Sequence, residues 1–272
     1  MTIKRFIKKI LPPFMVHLIR RFSPYGFHGD FDSWELAVRA STGYSDPHIV
    51  EKHRIAAAAV RNGTAPYERD SMIFDRVEYS WLVVTGLLDA AVSAGGSLSV
   101  LDFGGAFGTV YRVHRPLFES VQKLEWSIVE QEEFADIGNR EFVDGSLRFY
   151  RSVDACLAER RPNALLLGGV LQYIEDPYEF LGHLLTLGFS HLVIDRTPFV
   201  KGAHDRITVQ RVPPRIYRGG YPAWIFGEDR FERFMSSRAK LAAAFESGEE
   251  SNVGGLVFRG FIYRLRRDHG TS

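Results

Sequence analysis

VLDFGGAFGTVY, residues 100–111, joins an apolar run to a glycine-rich turn and then to helix-compatible sequence. The run SLSVLDF (97–103) has the texture of a strand buried on both faces. Asp102 stands near its end, and Gly104, Gly105 and Gly108 form the turn. Glycine reaches backbone conformations barred to other residues, so a ligand can approach this main chain closely, and helix amides then face it. Downstream, the same alternation repeats. LEWSIVE (124–130) reads as a second strand ending in Glu130, 134–142 as helix, LRFYRS (147–152) as a third strand and SVDACLAERR as a short helix. NALLLGGVLQYI (163–174) holds a fourth strand, 178–187 is helical, and HLVIDRTPF (191–199) is a fifth strand. Strands alternating with helices predict a mainly parallel α/β sheet covered on both faces. Beyond residue 200 the sequence predicts a Pro- and aromatic-rich loop and a helix near 229–235. KLAAAFES (240–247) and GLVFRGFIYRLRR (255–267) then read as antiparallel partners, a carboxy-terminal hairpin joined through SGEESNVG.

Upstream of the sheet the pattern is helical. The sequence predicts helices at 34–40 and 48–61, a turn at GYSDP (43–47), a loop at NGTAPYERD (62–70) and a long amphipathic helix over 71–94 that stops at Gly95-Gly96. This divides the 272 residues into an arm (1–30), a helical amino-terminal cap (31–96) and a ligand-binding domain (97–268).

The arm is basic: Lys4, Arg5, Lys8, Lys9, Arg20 and Arg21 precede the first acid, Asp30. Removing those six cations from a net charge of +1 leaves the remainder near −5, which is no nucleic-acid binder on charge grounds. IKRFIKKIL (3–11) sets apolar residues at helical spacing opposite lysines, and Pro12-Pro13 stop it. Such an arm either lies on an anionic membrane surface through residues 1–22, packs on the body, or stays in solvent; its apolar runs are too short to span a bilayer. The single cysteine, Cys156, excludes an intrachain disulfide and a cysteine-cluster zinc site. No metal site is expected, and no G-x-S-x-G elbow of a serine hydrolase occurs.

Glu130 stands 22 residues past Gly108, where doubly wound folds place an acid that accepts hydrogen bonds from ribose hydroxyls. The dinucleotide fingerprint G-x-G-x-x-G is absent, since Gly104 opens GGAFGT and Gly105 opens GAFGTV. An acid two residues before the first glycine repels a pyrophosphate and suits a ligand with a cationic amino-acid part. S-adenosylmethionine is such a ligand. Asp102 either engages its ammonium group, directly or through water, or only caps the turn.

At these residues the chain resembles class I S-adenosylmethionine-dependent methyltransferases. More closely, GYSDPHIVEKHR, YERDS, EYSW, VLDFGGAFGTVY, WSIVEQ, VLQYIEDP and VIDRTPF resemble a family of bacterial methyltransferases associated with surface-polysaccharide gene clusters, over residues 34 to 265. The resemblance implies a Rossmann-like, seven-stranded sheet, preceded by amino-terminal helices, and S-adenosylmethionine as cofactor. It places the cofactor against Asp102, Gly104, Gly105, Ala106 (where the family pattern has glycine) and Gly108. Glu130 would hold the ribose and Gln131 lie near the adenine, with Leu171 and Gln172 lining the other side. Tyr173 either turns its ring toward the sulfonium or packs as an ordinary aromatic.

For an acceptor hydroxyl a general base is needed, and open α/β sheets bind ligands beyond the carboxyl ends of their strands. That points to Asp195 and Arg196 in VIDRTPF and to His204 and Asp205 in KGAHDRIT, with Asp195 and His204 as the candidate bases; Asp195 and Arg196 alternatively pair with each other or bind polar groups of the substrate. His204 is alternatively a plain loop histidine. Tyr217, Tyr221, Trp224 and Phe226, with Arg215 and Arg218, form either a stacking wall for a sugar ring or hydrophobic cover for the sheet edge. The reading reached is a cytoplasmic O-methyltransferase of a sugar or glycan precursor in bacterial envelope synthesis, with peripheral contact at the inner membrane face. A methyltransferase-like scaffold without turnover and a nucleotide-dependent oxidoreductase stay open beside it. Oligomeric state is not legible.

Overall fold

Strands buried on both faces leave the chain little choice but a sheet sandwiched between helices, and the computed structural model shows how it is wound. It describes residues 22–43, 49–217 and 219–266. The arm to residue 21, most of the GYSDP turn and Arg218 lie outside the described residues.

In chain order the elements are β1 (Gly26–Phe31), α1 (Trp34–Ala40), α2 (Ile49–Arg61), β2 (Tyr67–Arg69), β3 (Met72–Phe74), α3 (Trp81–Ser93) and β4 (Ser97–Phe103). Then come α4 (Thr109–His114), a 3-10 turn (Arg115–Phe118), β5 (Lys123–Val129), α5 (Glu132–Glu141), β6 (Leu147–Tyr150), α6 (Val153–Glu159) and β7 (Ala164–Gly168). A second 3-10 turn (Leu171–Tyr173) leads to α7 (Pro177–Leu184), β8 (His191–Val200), β9 (Arg206–Arg211), β10 (Gly220–Gly227), α8 (Glu228–Ser236), β11 (Ala239–Glu246) and β12 (Val257–Leu265).

Five parallel strands run β6-β5-β4-β7-β8, and the antiparallel hairpin β12–β11 closes the sheet beside β8. These seven strands are the Rossmann-like arrangement that the sequence predicts, and β10, parallel to the end of β8, extends the sheet through β9 and β1 to ten strands. Leu98, Val100, Trp126, Ile128, Leu166 and Val193 point to one face, under α3 and α5. Leu101, Val129, Leu165, Leu167, Leu192 and Ile194 point to the other, under α7 and α8. Each such side chain contributes about 1.5–3 kcal/mol by leaving water. From β4 the chain winds outward to β6 and then returns to β4's other side at β7. The connections that leave β4 and β7 therefore run to opposite faces of the sheet, and the crevice between them is the usual ligand position in such folds.

Three expectations are corrected. The helix predicted over 71–94 begins only at Trp81, because Asp70 (φ 50°) and Ser71 (φ 63°) are both left-handed and turn β2 back onto β3. Two successive positive-φ residues match the twist of a hairpin, and Asp tolerates that region. The loop predicted after residue 200 contains β9 and β10, paired antiparallel from Arg211–Gly220 to Arg206–Ile225. Pro222 argues against a strand in sequence, yet β10 accommodates it. Residues 26–30, placed in the arm by sequence, form β1 with Phe31 against β9. The Asn252 side chain pins it by accepting from the Phe27 amide at 2.8 Å and donating to the Phe27 carbonyl at 2.8 Å. Among the described residues no helix is long and apolar enough to cross a membrane.

Candidate functional site

The turn after β4 is built by backbone constraint. Gly104 has φ +74°, and its amide donates to the Val129 carbonyl at 2.9 Å, tying the end of β4 to that of β5. A Cβ on Gly104 would meet Val170 at 2.8 Å, so only glycine fits between β4 and the chain leaving β7. Ala106 also lies at positive φ (+46°), where a side chain costs about 1 kcal/mol. Its amide is thereby aimed at Glu130, whose Oε1 accepts it at 3.0 Å.

Two carboxylates meet this turn. Asp102 is 2% exposed, and its Oδ2 accepts from the Trp126 indole at 3.1 Å. The same oxygen lies 2.6 Å from where a Gly105 Cβ would stand, so the carboxyl is roofed by the turn. Burial pushes Asp102 up to about 7, with Glu130's charge adding to that and the indole bond and Arg196 opposing it. Glu130 is raised by burial against the bonds from the Gln131 and Ala106 amides. Its two oxygens each accept one amide, Gln131 at 3.0 Å on Oε2. A carboxylate has about four acceptor sites, so a cis-diol still finds two. Gln131 itself is exposed at the start of α5.

The crevice's other wall is the chain after β7. Leu171 is fully buried, and Gln172, 3% exposed, donates from Nε2 to the Gly169 carbonyl at 3.0 Å while its Oε1 has no donor. Tyr173 is turned away into an aromatic group. Its hydroxyl donates to Gln210 at 2.5 Å, and its ring meets Tyr221 edge-on at 5.1 Å.

At the next strand a bulge sets the geometry. β8 and β12 change register between Arg259 and Phe261, which leaves Asp195 and Arg196 opposite Gly260 and holds Arg196 at φ +52°. Asp195, expected as a base, is 7% exposed with both oxygens occupied. Ser80 Oγ donates to Oδ2 at 2.9 Å, while Ser247 Oγ at 2.8 Å and the Arg196 amide at 2.9 Å donate to Oδ1. It ties α3's amino end to the sheet and to the β11–β12 loop. Arg196 donates from Nη2 to the Gly168 carbonyl at 3.1 Å and pairs with Asp70 at 3.8 Å. Burial would lower its pKa, but Asp70, Glu249, Asp195 and Tyr67 outweigh that and raise it.

His204 is exposed in the β8–β9 connection. Asp205 is fixed by the Gly227 amide at 2.8 Å, the Tyr178 hydroxyl at 3.2 Å and Arg230 at 3.1 Å. The stacking wall is also corrected, because alternation along β10 sends Tyr221 and Trp224 to opposite faces. Tyr221 bonds Tyr217, whereas Trp224 stacks on Trp34 and donates to the Ile174 and Glu175 carbonyls; Phe226 is core.

Sequence reasoning passed over Glu68, in the segment YERDS. It is 5% exposed, and its Oε1 accepts from the hydroxyl of Thr109, the residue after Gly108. Oε2 has no donor. Burial raises Glu68 to about 6, with the Thr109 bond opposing and Asp70 reinforcing. Glu249, from the β11–β12 loop, is likewise raised by burial and has a buried Oε2 without a donor. The arrangement offers acceptors to a ligand: two buried carboxyls at the glycine turn, and a second set around Arg196.

No family model and no curated protein sequence matches the chain. Among solved structures it is similar to the N-terminal domain of EvdMO1 with SAH bound, at 13% identity over 81% of this chain and 99% of that one (TM-score 0.46). A S-adenosylmethionine-dependent methyltransferase from Clostridium acetobutylicum gives 11% identity over 70% and 92% (TM-score 0.46). Magnesium protoporphyrin IX methyltransferase from Synechocystis with bound SAH gives 13% over 79% and 99% (TM-score 0.46). Likeness this loose fixes neither activity nor substrate.

Proposed function

We propose that the chain is an S-adenosylmethionine-dependent methyltransferase that methylates a hydroxyl of a sugar or glycan precursor in bacterial envelope polysaccharide synthesis. The observation carrying this reading is Glu130, set against the Ala106 amide at the mouth of the β4–β7 crevice with acceptor capacity to spare. The residues present fit the cofactor. Glu130 would take the ribose hydroxyls, Gln131 would lie at the adenine, and the Gly104–Ala106 main chain would lie under the methionine part. Leu171 and Gln172 would close the opposite side, where the Gln172 oxygen lacks a donor. Asp102 acts here as a positioning residue, seating the turn and keeping a negative charge beneath a cationic ligand.

The bound cofactor would supply an activated methyl group. The protein's part is then to align the acceptor, exclude water and remove a proton. Arg196 and the β2–β3 hairpin would form the acceptor side, and residues 1–22 would hold the cytoplasmic protein at the inner face of the membrane. Incubation with methyl-labelled S-adenosylmethionine and envelope glycan precursors tests this: label in the glycan fraction is expected. Cofactor-dependent oxidation of NADPH without methyl transfer would overturn it. Liposome binding unchanged by removal of residues 1–22 would remove the membrane contact.

A further inference from the structure

Glu68 Oε2, from the β2–β3 hairpin, and Glu249 Oε2, from the β11–β12 loop, are buried without a hydrogen-bond donor, and both carboxyls feel the charge of Arg196. Buried acceptors without donors are costly, and two facing one arginine fit a ligand that brings hydroxyl groups. Arg196 is already balanced by Asp70, Asp195 and Glu249, which leaves no surplus positive charge for an anionic acceptor.

The Thr109 hydroxyl fixes Glu68 Oε1 beside the glycine turn, and the Ser71 amide also faces the carboxyl, while Oε2 has no hydrogen bond of normal geometry. Resting on the methyltransferase reading above, we propose that Glu68 is the catalytic base, with the acceptor's hydroxyls seated between Glu68 and Glu249. The acceptor O–H proton passes to Glu68 Oε2 as the oxygen bonds to the methyl carbon. The C–S bond breaks with its electron pair staying on sulfur, and Glu68 later releases the proton to water. Asp195 and His204 have no part in the step.

The test uses the full-length protein and methyl hexopyranosides as uncharged probes, with the matching hexopyranosiduronates as anionic ones. S-adenosylhomocysteine binding is measured first by calorimetry. The probes are then titrated into that complex, and methyl transfer from labelled cofactor is followed. Expected is binding of a hexopyranoside in preference to its uronate. Glu68→Gln, which keeps the Thr109 bond, should lower kcat at least about 100-fold and leave S-adenosylhomocysteine affinity within about twofold. Glu68→Asp should recover part of the rate, and Glu249→Gln should weaken probe binding with a smaller effect on kcat. Preference for the uronate, no hexopyranoside binding, or full kcat in Glu68→Gln would overturn the proposal with the cofactor reading intact. Absence of S-adenosylhomocysteine binding in the folded wild type would instead remove the reading on which it rests.

Discussion

Ala106 carries a side chain at φ +46°, one residue from where glycine would be indifferent to it. Relief of that strain by Ala106→Gly should be worth up to about 1 kcal/mol, less what glycine's extra freedom costs in the unfolded chain. Urea unfolding would show a midpoint unchanged or raised; a clear drop would contradict the strain. Asp102 offers a sharper comparison. Asp102→Asn can keep an oxygen for the Trp126 indole, whereas Asp102→Ala leaves a buried N–H without acceptor at about 1–3 kcal/mol. The alanine variant should therefore be the less stable in denaturant unfolding, and equal stability would mean the indole bond carries little. Glu130→Ala should weaken S-adenosylmethionine at least about 100-fold, since two hydrogen bonds to a charged acceptor are lost together.

At the scale of elements, strand and helix order was legible because each β-α step has its own period and its own glycine punctuation. SLSVLDF is β4 residue for residue, and the carboxy-terminal hairpin falls where alternation places it. What escaped were strands whose existence depends on distant partners. GFHGDF becomes β1 through Asn252, some two hundred residues away, and no local pattern announces that bond. Asp70-Ser71 makes a tight turn without a glycine, so β2–β3 was hidden inside a predicted loop and helix, and Glu68 with it. The proposed cofactor side is a single β-turn-α stretch and the acid after the next strand, which local sequence displays. The proposed acceptor side would draw on the β2–β3 hairpin, the β8 bulge and the β11–β12 loop, which only the fold brings together. Asn252→Ala should release β1 at a cost of about 1–3 kcal/mol, seen as faster amide exchange at Phe27. Unchanged protection there would show that β9 alone holds the strand.

Over the whole molecule, buried carboxyls make stability and ligand affinity respond to pH in opposite senses. Asp102 near 7, Glu68 near 6, and Glu130 and Glu249 raised by burial all hold protons more tightly folded than unfolded. Their contribution to stability is complete below their unfolded values and is lost as pH rises through the folded ones. The contribution of these carboxyls should be lost between about pH 5 and 8, with Glu68 accounting for about 2 kcal/mol, while His53 and His114, lowered by burial, act in the opposite sense at the acid end of that range. Glu68→Gln should flatten that slope in thermal unfolding across the range, and a slope equal to wild type would contradict it. A cationic ligand prefers the ionised carboxyls, so S-adenosylmethionine should bind more tightly at pH 8 than at pH 6.

The central claim, a cofactor site between the Gly104–Gly108 turn and Glu130, is met most directly by calorimetric titration of the folded protein with S-adenosylmethionine beside NADH and NADPH. The account predicts binding of S-adenosylmethionine in the micromolar range, abolished in Glu130→Ala, and none of either nicotinamide nucleotide. Silence toward S-adenosylmethionine, or binding that Glu130→Ala leaves untouched, would contradict it.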